Sequence, residues 1–172
     1  MNLWFRMLRI FFISKFAEPI ALFDESRVTF RVWPSDCDIN LHMNNGRYLT
    51  LMDLGRTYFM AQLNMLWKLP KKKWFPVVGA VEIRYMRSLN PFQKFDLVSR
   101  VLTWDKKWIY LEQRFEAEGK IMAVARLRAL FIGNSGIVPT DDILALATDM
   151  KPAPPDDEVM SLWDAKSSMF LM

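Results

Sequence analysis

The stretch from Val77 to Ile132 constrains this chain most. It holds four strand-type runs, roughly Val77–Leu89, Phe95–Trp104, Trp108–Ala117 and Lys120–Ile132, broken by "NPFQK", "DKK" and "EG". Turn-forming residues mark each break. A parallel crossover needs a dozen or more residues, so the shortest breaks demand antiparallel hairpins. Ahead of them, "SRVTFRVWP" alternates: Val28, Phe30 and Val32 fall on one side, and Thr29, Arg31 and Trp33 on the other. That is a half-buried strand. From about Asn44 to Leu66, Tyr48, Leu49, Met52, Phe59 and Leu63 recur near helical spacing, which predicts one long helix buried on one face. The order is strand, long helix, then an antiparallel meander, an α+β arrangement whose sheet gives one face to the helix. Trp104, Trp108 and Tyr110 on that sheet suggest that a second subunit covers part of it.

The ends read differently. Residues 1–22 form an amphipathic segment in which Asn2, Arg6 and Arg9 share one side of a helix while Leu3, Trp4, Met7, Ile10 and Phe11 cover much of the rest. Arg6, Arg9 and Lys15 interrupt the apolar run well short of the ~20 residues that span a bilayer, and they break up a signal-peptide core. A helix packed on its own domain or on a partner subunit is the expectation, and contact with a membrane surface through residues 1–16 is the competing one. Residues 23–150 are assigned to one domain, with a short helix capped at Thr140. "KLPKKKWFP" is a loop, and residues 151–172 are a Pro-rich linker and a C-terminal helix.

The chain has 172 residues, one cysteine, one histidine and a net charge of +4. That length suits one domain with a sizeable core. The mild positive charge suits an anionic ligand, and without a long Lys/Arg block a nucleic-acid partner is not expected. A lone cysteine forms no internal disulfide, which leans towards a reducing, cytoplasmic setting. One histidine and no Cys cluster exclude a multi-imidazole metal site, so neither a metal nor any other cofactor is expected.

Both scarce residues lie in "WPSDCDINLHMNNGRY", Trp33 to Tyr48. Asp36 and Asp38 flank Cys37, and their charges disfavour its thiolate, so a nucleophilic role for it is disfavoured. Ser35 is the only serine nearby, and no nucleophile elbow surrounds it. Asp38, Asn40 and His42 alternate, and in an extended segment they would face one side. Asn44 or Asn45 could cap the helix, whose first-turn N–H groups form a site for developing negative charge. That is the layout of an acyl-transfer site. The plain alternative is an Asx turn at Asp36 and Asp38, an ordinary cap and a core histidine.

The order of elements and "DCDINLHMNNGRY" resemble the hotdog-fold thioesterases of the 4-hydroxybenzoyl-CoA thioesterase-like superfamily, whose pattern D-x-D-x-x-x-H-x-N-N-x-x-Y is met by Asp36, Asp38, His42, Asn44, Asn45 and Tyr48. Plant acyl-ACP thioesterases carry a similar D-x-N-x-H-x-N-N. "PSDCDINLHMNNGRYL" is similar throughout to the thioesterase superfamily member 6-like group, and the resemblance covers about residues 26 to 135. It implies a hotdog fold of about five antiparallel strands around one helix. It implies hydrolysis of an acyl-CoA or acyl-carrier-protein thioester, with a fatty acyl-CoA as the expected substrate, by a homodimer or tetramer with sites between subunits. By that likeness Asp38 is the catalytic carboxylate, as nucleophile or as general base, and His42 shares the acid–base work. Asn40, Asn44, Asn45 and Tyr48 bind substrate, and the backbone from Met43 to Gly46 forms the oxyanion hole. Arg84, Arg87 and Lys94 are weaker candidates for CoA phosphates. Asn45 stands where many relatives have histidine or tyrosine. The branch with its carboxylate on the central helix could be served by Asp53 or Glu82, but Asp53 sits three residues before Arg56, a helix ion pair. A dehydratase would need a His-Phe-Pro type motif, which is absent. A non-catalytic acyl-binding or membrane-associated protein on the same fold is the competing function.

Overall fold

The computed structural model describes residues 3–147 together with Ser161 and Trp163. Helix α1 (Leu3–Ser14) precedes strand β1 (Ser26–Arg31), and the long helix α2 (Asn45–Gln62) follows the motif loop. Strands β2 (Phe75–Tyr85), β3 (Lys94–Trp104), β4 (Ile109–Ala117), β5 (Lys120–Gly133) and β6 (Gly136–Val138) come next, then the short helix α3 (Thr140–Leu144). The sheet is antiparallel in the order β1-β3-β4-β5-β2, with β6 beside β5.

The predicted strands lie within a few residues of their expected bounds. The β4–β5 turn has Glu118 and Gly119 both at positive φ, the two-residue geometry that matches the twist of a hairpin. Strand β2 pairs with β5 rather than with its sequence neighbour β3, which puts it at a sheet edge. Strand β6, three residues long, carries too little pattern to be read from sequence. At α3 the helix starts at Thr140 itself, with Pro139 as N-cap and no side-chain capping bond. The predicted C-terminal helix falls largely outside the described residues.

Side chains from both sides of α2 enter the core. Tyr48, Leu51, Met52, Gly55, Phe59 and Gln62 form one buried stripe, and Leu54 and Ala61 extend it. Leu97, Phe115, Ala123, Ala125 and Leu127 of the sheet meet that stripe, each 0% exposed. Burying each large apolar side chain contributes roughly 1.5–3 kcal/mol. Gly55 lets helix and sheet approach closely, since a Cβ there would lie 2.5 Å from the Leu97 side chain. The buried Gln113 amide is satisfied by the Met52 carbonyl at 3.1 Å, Ser99 Oγ at 2.8 Å and Arg56 at 2.7 Å.

Two expectations change. Helix α1 buries Arg6, Ile10 and Ser14 and leaves Trp4, Phe5, Leu8 and Phe12 more than 60% exposed. One expected polar residue is therefore inside, because Arg6 finds a buried carboxylate. On the outer face of the sheet, Trp163 of the same chain packs with Tyr110, Ala80, Leu102 and Trp108, while Trp104 stacks on Phe23. These aromatics thus find partners within the same chain, while Trp104 and Trp108 stay half-buried.

Candidate active site

The loop between β1 and α2 is folded on itself rather than extended. Its carboxylates act as tethers at both ends. Asp36, 1% exposed, accepts the Trp33 N–H at 2.8 Å through its side chain, and its carbonyl accepts the Asn44 N–H at 2.8 Å. Between these points Asp38 accepts the Asn40 N–H at 2.9 Å, an Asx turn, while the Leu41 N–H donates to the Asp38 carbonyl and the Asp38 N–H to the His42 carbonyl, both at 3.0 Å. The tight turn puts Leu41 at φ 58° and leaves Ile39 and Leu41 95% and 70% exposed. Cys37 and Met43 form an antiparallel bridge across its base.

This turn, not an extended strand, brings the predicted residues together. Asp38, Asn40, His42, Met43, Asn45 and Tyr48 line one open cavity of about 360 Å³, closed on its far side by Tyr85, Met86, Arg87 and Ser88 from the end of β2. His42 is exposed rather than a core histidine. Asn44 is the cap of α2, its side chain accepting the Gly46 N–H at 2.9 Å. That bond fixes the helix start.

The oxyanion assignment needs revision in detail. The Met43 N–H donates to the Leu89 carbonyl at 2.9 Å, and the Gly46 N–H is held by the Asn44 cap, so both expected donors are engaged. The Arg47 N–H is engaged as well, at 2.8 Å from the Asn44 carbonyl. Asn45 carries the first-turn amide N–H that takes no partner among the described residues, and Asn45 lines the cavity. A capped first turn always spends some of its orphan donors on the cap, which the motif alone does not display.

Tyr48 lies beneath the cavity, 2% exposed, edge-on to Tyr85 at 5.0 Å and tilted against Phe115 at 4.7 Å. Burial, with a smaller contribution from Tyr85, pushes its phenol up to about 12, so it stays neutral at physiological pH. The Tyr85 hydroxyl donates to the Asn45 carbonyl at 3.3 Å, tying β2 to the helix start. The Cys37 thiol is raised by burial and by the charges of Asp36 and Asp38, and it points at the Trp33 carbonyl at 3.6 Å. That matches its exclusion as a nucleophile.

Of the weaker candidates, Arg87 lines the cavity and donates to the Ile121 carbonyl at 2.9 Å, while Arg84 and Lys94 do not line it. Asp53 pairs with Arg56 and lines a different cavity, and Glu82 lies opposite Arg126 in the β2–β5 register. The second cavity, about 250 Å³, is apolar and lies along the C-terminal half of α2, with Phe59, Met60, Leu63, Val78, Val101 and Leu111 in its wall. Sequence reading missed Tyr85, Met86 and Ser88, which lie about 40 residues beyond the motif, and it missed the partner of Asp36. The buried Arg6 guanidinium pairs with the Asp36 carboxylate and donates to the Arg31 carbonyl at 2.9 Å.

Residues 32–162 match the family model described as thioesterase-like superfamily. Protein THEM6 of Danio rerio is 38% identical over 130 residues, which cover 74% of this chain and 63% of that protein. Thioesterase poxG of Penicillium oxalicum is 26% identical over 107 residues, covering 54% of this chain and 35% of that one. The chain thus spans less than two thirds of these curated relatives. Among solved structures, the gentisyl-coenzyme A thioesterase BH1999 superposes with a TM-score of 0.65 at 18% identity, over 72% of this chain and 99% of that one. That likeness shows the hotdog fold, and the family match, which spans most of the chain and the whole motif loop, shows the lineage: this chain belongs to the thioesterase-like superfamily.

Proposed function

We propose that this chain hydrolyses an acyl thioester, with Asp38 as its reacting carboxylate. The observation that carries the reading is the convergence of Asp38, Asn40, His42 and the open Asn45 N–H on one cavity at the start of a buried helix. One Asp38 oxygen is held by the Asn40 amide, which aims the other. Asp38 either attacks the carbonyl carbon itself or takes the proton from an attacking water. The carbonyl oxygen gains negative charge, which the Asn45 N–H and the helix N-terminus stabilise. Collapse breaks the C–S bond, and the thiolate leaves and takes up a proton; where Asp38 has attacked directly, a water then cleaves the mixed anhydride and frees the acid and the carboxylate. His42 and Asn40 orient the thioester and its leaving group.

The substrate class is a fatty acyl thioester, and Arg87 in the cavity lining suits the phosphate that a CoA or a phosphopantetheine arm carries. On β2, Tyr85 lines the polar cavity and Val78 the apolar one, with Val81 between them in sequence, each 39–41% exposed. An extended acyl chain fits along them. The same residues and the unpaired edge of β2 make a homodimer the working assembly. The exposed face of α1, with Trp67 against Phe11 and lysines 71–73 in the loop beyond, suits contact with an anionic membrane surface. Among the described residues no helix is long and apolar enough to cross a membrane.

The test is turnover of the purified protein across acyl-CoA and acyl-carrier-protein thioesters of increasing chain length, beside Asp38→Asn. Loss of about 10³-fold in kcat for the variant, with the fold intact, is expected. Near wild-type turnover by Asp38→Asn would sink the assignment. Acyl binding without hydrolysis of any substrate would favour the non-catalytic reading. For the membrane contact, flotation with anionic liposomes should fall in a Trp4→Glu, Phe12→Glu variant; full-length protein that stays unbound removes it.

A further inference from the structure

We infer that Arg6, on the N-terminal helix, is a positioning residue for the catalytic loop, which makes α1 a working part of the site. The inference rests on the thioesterase reading above. Arg6 and Asp36 are 3% and 1% exposed and lie 30 residues apart in sequence, so their contact is a tertiary tie. Asp36 does three things at once. Its side chain holds the Trp33 N–H, its carbonyl holds the Asn44 N–H, and its other carboxylate oxygen faces Arg47 Nε at 3.7 Å. The loop from Trp33 to Asn44 is thereby closed at both ends on one residue. Asp38 follows Asp36 by two positions, and Asn45 follows Asn44 by one, so the carboxylate and the open amide both hang from groups that Asp36 fixes.

A buried ion pair is a poor choice if the only need is to hold a helix down. Apolar side chains of similar volume commonly serve stability as well or better, and the better-attested use of such a pair is to select one arrangement. Arg6 keeps that arrangement at a visible cost. Its Nε is buried with no hydrogen-bond partner, and native structures rarely leave such a donor so. One guanidinium nitrogen, Nη2, donates to both the Arg31 carbonyl and Asp36, and so ties the point where the loop leaves β1 to the loop's own carboxylate. Arg9, one turn on, makes the plain attachment: it donates to the Thr29 carbonyl at 3.0 Å and does not touch the loop. The two arginines therefore separate docking of α1 from positioning of the loop.

The experiment compares Arg6→Gln, Arg6→Lys and Arg9→Met with the wild type and with Asp38→Asn. Two readouts are taken: kcat and KM on the best acyl-CoA of the panel, and the imidazole proton resonances of His42. That residue is the chain's only histidine, so its signals report the loop without any turnover. Arg6→Gln should lower kcat by about tenfold to a hundredfold with little change in KM, the size expected of a misplaced reacting group, and should shift the His42 resonances. Arg9→Met should do neither. Full kcat and unshifted His42 signals in folded Arg6→Gln overturn the inference. So does an equal loss in Arg9→Met, which would make both residues mere attachments. If Arg6→Gln does not fold, Arg6→Lys and Asp36→Asn decide, because each keeps a polar group in place while weakening the tie: reduced kcat at unchanged KM in either supports positioning, and full kcat in both refutes it. Should the wild type hydrolyse nothing, the thioesterase reading fails by itself, and the His42 shifts alone decide whether Arg6 sets the loop.

Discussion

Along β1, six residues long, α1 donates Arg9 and Arg6 to the carbonyls of Thr29 and Arg31, so the strand's outer side is capped by another element of the same chain. Along β2, eleven residues long, no further strand pairs among the described residues, and Phe75, Val77, Val78, Val81 and Tyr85 stand 39–60% exposed. A long apolar edge left bare in an isolated chain is an invitation to pair. A short edge, capped by arginines, is not. The candidate site lies between these two treatments: its loop is anchored on the capped side, and its far wall, Tyr85 to Ser88, belongs to the bare one. One half is held within the chain, and the other stands on an edge beside which no strand lies among the described residues.

That contrast can be broken by experiment. The largest effect belongs to the bare edge. Val78→Lys with Val81→Lys should weaken self-association by about a hundredfold, equivalent to roughly 3 kcal/mol, and lower turnover with it; light scattering and activity against concentration read both. A double variant that remains dimeric would show that β2 is not the interface. Next comes the tyrosine pair that ties β2 to the helix start. Tyr48 in the folded chain is raised to about 12, above its unfolded value near 10. The stabilisation is complete below pH 10 and is lost as pH rises towards 12. Alkaline unfolding followed by circular dichroism should therefore shift upward in Tyr48→Phe, and an unchanged midpoint counts against the burial of the phenol.

Smaller effects are expected on the capped side. Arg9→Met removes one exposed hydrogen bond and should cost about 1 kcal/mol or less in chemical denaturation. Cys37→Ala should leave turnover within about twofold, and iodoacetamide should modify Cys37 more slowly than free cysteine at pH 8, since its thiol is raised rather than lowered. Fast modification would contradict the charges that surround it.

What could be read in advance divides along physical lines. The strands and α2 were legible because alternation and helical spacing repeat over ten or more residues. The site loop was legible because Asp38, Asn40, His42 and Asn45 lie within eight positions, and the turn that gathers them is made by their own side chains. The tight fold of that loop was not, since alternating positions suggest an extended segment and an Asx turn defeats that reading. The burial of Arg6 is not legible either, because nothing local distinguishes a buried arginine from an exposed one on the shared polar side of α1. Its partner is 30 residues away. The position of β2 beyond β5 was equally hidden, because strand order depends on which edges remain open after the helix has packed.

Leu41 carries one more consequence. A leucine held at φ 58° and 70% exposed gains nothing from burial and bears the crowding that left-handed backbone imposes on a side chain, about 1–2 kcal/mol. Glycine or asparagine there would relieve it. A screen for heat resistance should therefore find position 41 early, with the Asp38-to-His42 turn kept in shape by its own hydrogen bonds.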